Sequence, residues 1–126
     1  MRDAQAILVY LAGREGGLAW WPAHAEGQAE VMQWLSFTCN EIQHSLCAAR
    51  LALKFGMDLD RAATLALLEQ HLARHDWLAL GRPTIAECAV YPYVHLAPEG
   101  GISLEGHPQL LAWMARLRQL PGFVGP

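Results

Sequence analysis

Residues Ala25 to Lys54 read AEGQAEVMQWLSFTCNEIQHSLCAARLALK, thirty residues without proline and with one glycine, Gly27, in the first turn. Apolar or small residues recur at Val31, Leu35, Thr38, Ile42, Leu46, Ala49 and Leu53, spaced 4, 3, 4, 4, 3 and 4. That is the stripe of an amphipathic helix, which at 1.5 Å per residue would run about 45 Å. A helix this long predicts the spine of a small domain, with later segments packed along it. Asn40, Glu41, Gln43 and His44 cluster at its middle beside apolar neighbours, where a purely structural helix more often carries Ala or Lys. They mark the first place to look for a site.

The rest of the composition agrees with helices. The 126 residues suffice for one domain with a real core, burying about two thirds of the unfolded surface. The chain is 53% hydrophobic and 17% charged, rich in Ala and Leu and poor in β-branched residues, which predicts an all-α helical bundle. A formal charge of −3 and a single lysine, Lys54, leave no basic footprint for nucleic acid. No apolar run approaches the roughly 18 residues needed to span a bilayer, and Met1-Arg2-Asp3 does not open a secretory signal, so a soluble, cytoplasmic protein is expected. Cys39 and Cys47 stand eight residues apart on the spine, about 12 Å along its axis, too far to bridge. Together with Cys88 they are expected as buried, reduced thiols.

Outward from the spine, Asp3 to Ala12 predicts a short helix capped by Asp3. Ile7, Leu8, Tyr10 and Leu11 are its expected buried face, and Gly13 its end. Arg14 to Pro22 reads as a linker in which Trp20 and Trp21 serve as apolar anchors. So abrupt a start, a helix abutting a linker, suggests a missing segment upstream. After Gly56, Asp58 and Asp60 offer caps for a second helix to Arg74, with Leu65, Leu68 and Leu72 as its stripe. It is about half the length of the spine, so either the spine bends or much of one of its faces is left for another domain or subunit to cover.

Trp77 and Leu78 are expected to be buried in the following loop. Thr84-Ile85-Ala86-Glu87 matches the Ser/Thr-x-x-Glu capping box and opens a mostly apolar, central helix to Leu96, kinked at Pro92. The last helix starts at Pro108 and runs to about Leu120, with Leu110, Leu111, Met114 and Leu117 inward and Trp113 beside them.

Three separated stretches resemble one family. Arg2 to Leu11 (RDAQAILVYL) is similar to the last helix of the thioredoxin-like half of glutathione transferases, with its Asp/Glu-Ser-x-Ala-Ile pattern. Arg82 to Ala89 (RPTIAECA) resembles the capping box and buried helix of their helical half, and Pro108 to Leu117 followed by Leu120-Pro121-Gly122-Phe123 resembles their final helix. The resemblance implies a helical domain of the glutathione transferase C-terminal type over residues 23–126. Residues 14–22 are then the linker, and 1–13 the last helix of an otherwise absent thioredoxin-like domain.

The departures from the family shape the expected function. The thioredoxin-like half carries the group that activates the glutathione thiol and most of the glutathione cradle. In the matching motif Asp3 keeps the acid that holds the γ-glutamyl end, so the resemblance makes Asp3 a glutathione-binding candidate, while Ala4 has lost the serine hydroxyl. Glu87 stands where the family usually has Asp. On the spine, Trp34 to His44 resembles the bacterial beta-like class, in which a His-Lys pair at the positions of Gln43 and His44 faces the glutathione sulfur. Asn40, Gln43, His44, Cys47 and Tyr91 are the substrate-binding candidates, lining the wall of a pocket for a small hydrophobic electrophile.

Glutathione enters as a co-substrate of an assembled enzyme, with no other cofactor. No catalytic residue is assigned, and the isolated chain is expected to be inactive. The alternative is a free-standing helical interaction module, of the kind found by resemblance in elongation factors and aminoacyl-tRNA synthetases. Either reading predicts a homodimer or a protein partner. His71 and His75 have the i, i+4 spacing of a metal pair, but no third ligand stands at motif spacing, and zinc is not assigned.

Overall fold

The computed structural model describes residues 3–47 and 61–126, with side chains described for 3–42 and 63–126. Helix α1 spans Ala4–Leu11 and is capped as expected: Asp3 Oδ1 accepts from the Ala6 N–H at 2.9 Å. Gly13 does not end it. The chain continues through a π-helical stretch, Ala12–Gly16, into the short helix α2, Gly17–Trp20, so most of the expected linker is helical. Gly17 makes the change of direction at φ 56°, in the region that favours glycine.

The spine begins as α3, Ala25–Phe37, capped by His24, whose Nδ1 accepts from the Gly27 N–H at 3.2 Å. Gly27 has a steric reason for being glycine, since a Cβ there would sit 2.8 Å from the His24 ring and 3.0 Å from Pro22. From Thr38 to Cys47 the helix widens into π geometry. Thr38 Oγ1 donates back to the Trp34 carbonyl at 2.8 Å and Asn40 Nδ2 to the Ser36 carbonyl at 3.0 Å, contacts that pull on the backbone ladder. The predicted stripe is buried where it is described, at Val31, Leu35, Thr38 and Ile42. Its members Leu46, Ala49 and Leu53, like the caps Asp58 and Asp60, lie outside the described side chains.

Helix α4 spans Arg61–Leu72, α5 Ile85–Leu96 and α6 Pro108–Arg118, with a 3₁₀ turn at Ala97–Gly100 after α5. Among the described residues no strand occurs, and the chain is an all-α bundle. Helix α5 is central, touching α1, α3, the π-helical segment and α6. Its Ala86, Val90 and Val94 are sealed in the core with Leu35, Leu65, Leu68, Leu110 and Trp113. The leucine stripe of α4 is buried as the spacing predicts. Glu69 of α4 caps α6 across the bundle, taking the N–H groups of Gln109 and Leu110 at 3.0 and 2.9 Å, and Pro108 removes one further donor from that end.

Three expectations about burial are corrected. On α1, Ile7, Tyr10 and Leu11 are 37%, 47% and 48% exposed, and the helix meets α5 through half-buried Leu8 and Val9 and the following buried Ala12. Apolar spacing shows which side of a helix resists water, but burial needs a second layer, and none of the described elements lies over that side. Leu111 is likewise exposed on the outer side of α6. Cys88 is exposed and Cys39 half-buried, both as free thiols, and Cys39 Sγ accepts from Gln5 Nε2 at 3.1 Å. No helix among the described residues is long and apolar enough to cross a membrane.

Candidate functional site

The capping box fixes how α5 enters the bundle. Thr84 Oγ1 accepts from the Ala86 N–H at 3.2 Å, and Glu87 Oε2 accepts from the Thr84 N–H at 2.7 Å and the Thr84 hydroxyl at 3.0 Å. Glu87 Oε1 reaches further, to the Leu78 N–H at 2.7 Å. Burial pushes the Glu87 carboxyl above its ordinary range, while the hydrogen bonds from Leu78 and Thr84 pull the other way. Both oxygens are engaged inside the protein, so Glu87 positions the helix and is not a ligand group.

One turn further along, Cys88, Tyr91 and Pro92 share a face at i, i+3 and i+4. They form one wall of an apolar cleft of about 360 Å³, closed by Trp20 of α2, Leu117 of α6 and the segment after α6. Gly122, at φ 78°, turns that segment back, and the Phe123 N–H bonds to the Leu120 carbonyl at 3.1 Å. Phe123 then meets Tyr91 edge-on at 5.3 Å between ring centroids. Tyr91 is held on every side: it stacks on His95 at 5.6 Å, tilts against Trp113 at 6.0 Å, and its hydroxyl accepts from Arg118 Nε at 2.9 Å. With Tyr91 fixed in this way, the cleft presents a mostly apolar lining, which suits an apolar molecule through burial.

Cys88 lies at the lip of this cleft and of a second groove of about 280 Å³ that runs past Leu8, Leu11, Ala12, Trp20 and Ile85. The second groove is shallow and joins the cleft to the exposed side of α1. Desolvation in this concave setting and the neighbouring Glu87 carboxylate both push the Cys88 thiol up, so it is a poor nucleophile near neutrality.

Among the predicted residues with described side chains, Tyr91 is in the cleft. Asn40 is exposed on the π-helical segment, and Asp3 is exposed with Oδ1 committed to its cap. The backbones of Gln43, His44 and Cys47 belong to the π-helical segment, but their side chains lie outside the described set. The sequence does not mark Trp20, Cys88 and Phe123 as site residues, yet all three line the cleft. The Trp20-Trp21 pair in the expected linker and the aromatic after Pro121-Gly122 are the signals the sequence offers. His71 and His75 do come together, rings stacked at 4.5 Å, but among the described residues no group of three His, Cys, Asp or Glu is placed to hold a metal.

Residues 60–116 match the family model of the glutathione S-transferase C-terminal domain. The same bundle recurs in a glutathione S-transferase from Xanthobacter autotrophicus Py2, 31% identical over 99% of this chain and 65% of that one, with a TM-score of 0.85. The fold is that of the glutathione S-transferase C-terminal helical domain. A glutathione S-transferase from Pseudomonas fluorescens Pf-5 is 28% identical over 98% of this chain and 66% of that one, with a TM-score of 0.86. A glutathione transferase homolog from Lodderomyces elongisporus, solved with two GSH per subunit, is similar in fold, at 21% identity over 96% and 63% of the two chains and a TM-score of 0.82. The chain spans less than two thirds of the length of each of these proteins. A search of curated proteins found no match.

Proposed function

We propose that this chain is the helical, electrophile-binding part of a glutathione transferase, of the bacterial beta- or theta-like kind. The observation that carries the reading is an aromatic cleft around Tyr91 in a bundle of glutathione S-transferase C-terminal type. Conjugation joins the glutathione thiolate to an electrophilic carbon, and it needs a thiolate donor, a cradle for the tripeptide and an apolar wall for the acceptor. This chain supplies the wall. Tyr91 backs the pocket wall from behind its ring partners, with Asn40 and Cys47 on the same wall and Gln43 and His44 toward the sulfur, where a protonated His44 favours the thiolate.

Asp3 keeps Oδ2 for the ammonium of the γ-glutamyl end while Oδ1 caps α1. Thiol activation comes from a thioredoxin-like half, with residues 1–13 as that half's last helix, 14–22 as connector and 23–126 as the helical domain. Without that half the chain is inactive. The working protein is a cytoplasmic homodimer. A helical interaction module without catalysis is the second reading, favoured by the exposed Ile7, Tyr10 and Leu11.

Glutathione titrated into the pure chain tests the first reading: saturable binding in the millimolar range or tighter, abolished by Asp3→Ala, is expected. Absence of binding, with an intact mass in its own cell of 13.9 kDa, would leave the interaction module.

A further inference from the structure

We propose that the Tyr91 cleft takes a small monocarboxylate, with the apolar body in the cleft and the carboxylate on Arg118. This deepens the reading of the cleft as an apolar ligand wall and rests on it. Cys88, Tyr91, Pro92 and His95 stand at i, i+3, i+4 and i+7 on α5, so the side that lines the cleft continues to His95, about 10 Å from Cys88 along the axis. At that end the last turn of α6 brings in Arg118. Its guanidinium carbon lies 6.0 Å from the centre of the Tyr91 ring, its Nε donates to the Tyr91 hydroxyl at 2.9 Å, and its Nη2 lies 3.4 Å from His95 Nδ1.

A cation in the last turn of a helix commonly turns to the final carbonyls of that helix. Arg118 turns instead to a phenol and an imidazole, and among the described residues no carboxylate pairs with it. A guanidinium can only donate, so His95 Nδ1 accepts and Nε2 carries the hydrogen. Arg118 is exposed and His95 half-buried, which leaves Arg118 Nη1 and His95 Nε2 as donors for an acceptor from outside. The Tyr91 hydroxyl fixes the guanidinium in place for it.

The other end of the cleft sets the direction of the ligand. Glu87 lies one turn before Tyr91 and also lines the cleft, and both its oxygens already accept hydrogen bonds. It gives an anion nothing to bind, so the carboxylate goes to the Arg118 end. Between the two ends Trp20, Pro92, Leu117 and Phe123 make the lining apolar, and about 360 Å³ is the small end of the range for ligand pockets. An apolar body of one or two rings suits that volume. A free inorganic anion would use Arg118 and leave the apolar lining uncovered.

The test titrates naphthylacetate and its uncharged counterpart naphthylethanol into the chain by calorimetry, in wild type, Arg118→Gln and Arg118→Lys. Arg118 is exposed, so both variants should fold. Wild type should bind the acid about fivefold more tightly than the alcohol, a gap that narrows as salt is raised. The Trp20 indole N–H signal should move in both titrations, since Trp20 lines the cleft. Arg118→Gln should bring the acid down to the affinity of the alcohol, and Arg118→Lys should keep part of the gap, because lysine retains the charge but not the planar fork. Equal affinities in wild type, or a gap that persists in Arg118→Gln, would overturn the carboxylate site while binding of the alcohol upheld the apolar cleft. Binding of neither compound would overturn both, the carboxylate site falling with the cleft it rests on.

Discussion

The entry to α5 and the outer side of α1 are opposite solutions to the same chain. Around Thr84 and Glu87, the backbone donors of Leu78 and Thr84 meet one buried carboxylate, at 2.7 Å each. On α1 the helix is well capped, yet Ile7, Tyr10 and Leu11 stand in water beside an apolar groove that leads to the Tyr91 cleft. The first region is closed and rigid because leaving a buried donor unmet costs about 1–3 kcal/mol. The second is open because apolar exposure costs less per residue and is recovered when something binds. Stability is therefore concentrated at one end of α5 and binding capacity along its side.

The comparison breaks most sharply at Glu87. Glu87→Ala leaves the buried Leu78 and Thr84 N–H groups without partners and should lower unfolding free energy by about 3 kcal/mol or more in denaturant titration. Glu87→Asp keeps the capping bond but cannot also reach Leu78, and should cost about 1 kcal/mol. Wild-type stability in place of either loss would mean that the closed region is not closed.

The pH dependence sharpens the same contrast, because Glu87 and His71 are shifted with opposite signs. Glu87 is raised by burial, so its contribution is fully present below its ordinary carboxylate range and lost as pH rises through its folded value. His71 is lowered, chiefly by burial, so its contribution is present above the ordinary histidine value and lost as pH falls. Stability curves should flatten on their alkaline-going limb in Glu87→Gln and on their acid-going limb in His71→Gln.

Smaller effects are expected in the open region. Tyr91→Phe removes the hydroxyl that accepts from Arg118 and should cost about 1 kcal/mol of stability while retaining the ring surface for an apolar ligand. Leu11→Ser, on the exposed side of α1, should change stability by no more than about 0.5 kcal/mol. If that side receives a partner, the same change weakens association, which analytical ultracentrifugation of the chain with a thioredoxin-like domain of a glutathione transferase would register.

Much of the fold was legible because helices announce themselves locally. The stripe from Val31 to Ile42, the leucines of α4, the Thr84–Glu87 box and the Pro108 start all rest on spacing or on residues within a turn of one another. Other features depend on partners far along the chain. Glu69 caps α6 from forty residues away, Glu87 reaches back to Leu78, and Glu30 holds Leu80 from fifty residues away. The site divides the same way. Tyr91 could be singled out from a central helix, but its company of Trp20, Cys88 and Phe123 exists only once α2, α5 and the chain after α6 converge. The sequence by itself determined where most of the helices lie, α2 and the π-helical stretches excepted, and which sides of them are apolar. Only the tertiary structure decided which apolar sides are covered, because burial is a property of the neighbours a side chain acquires and not of the side chain.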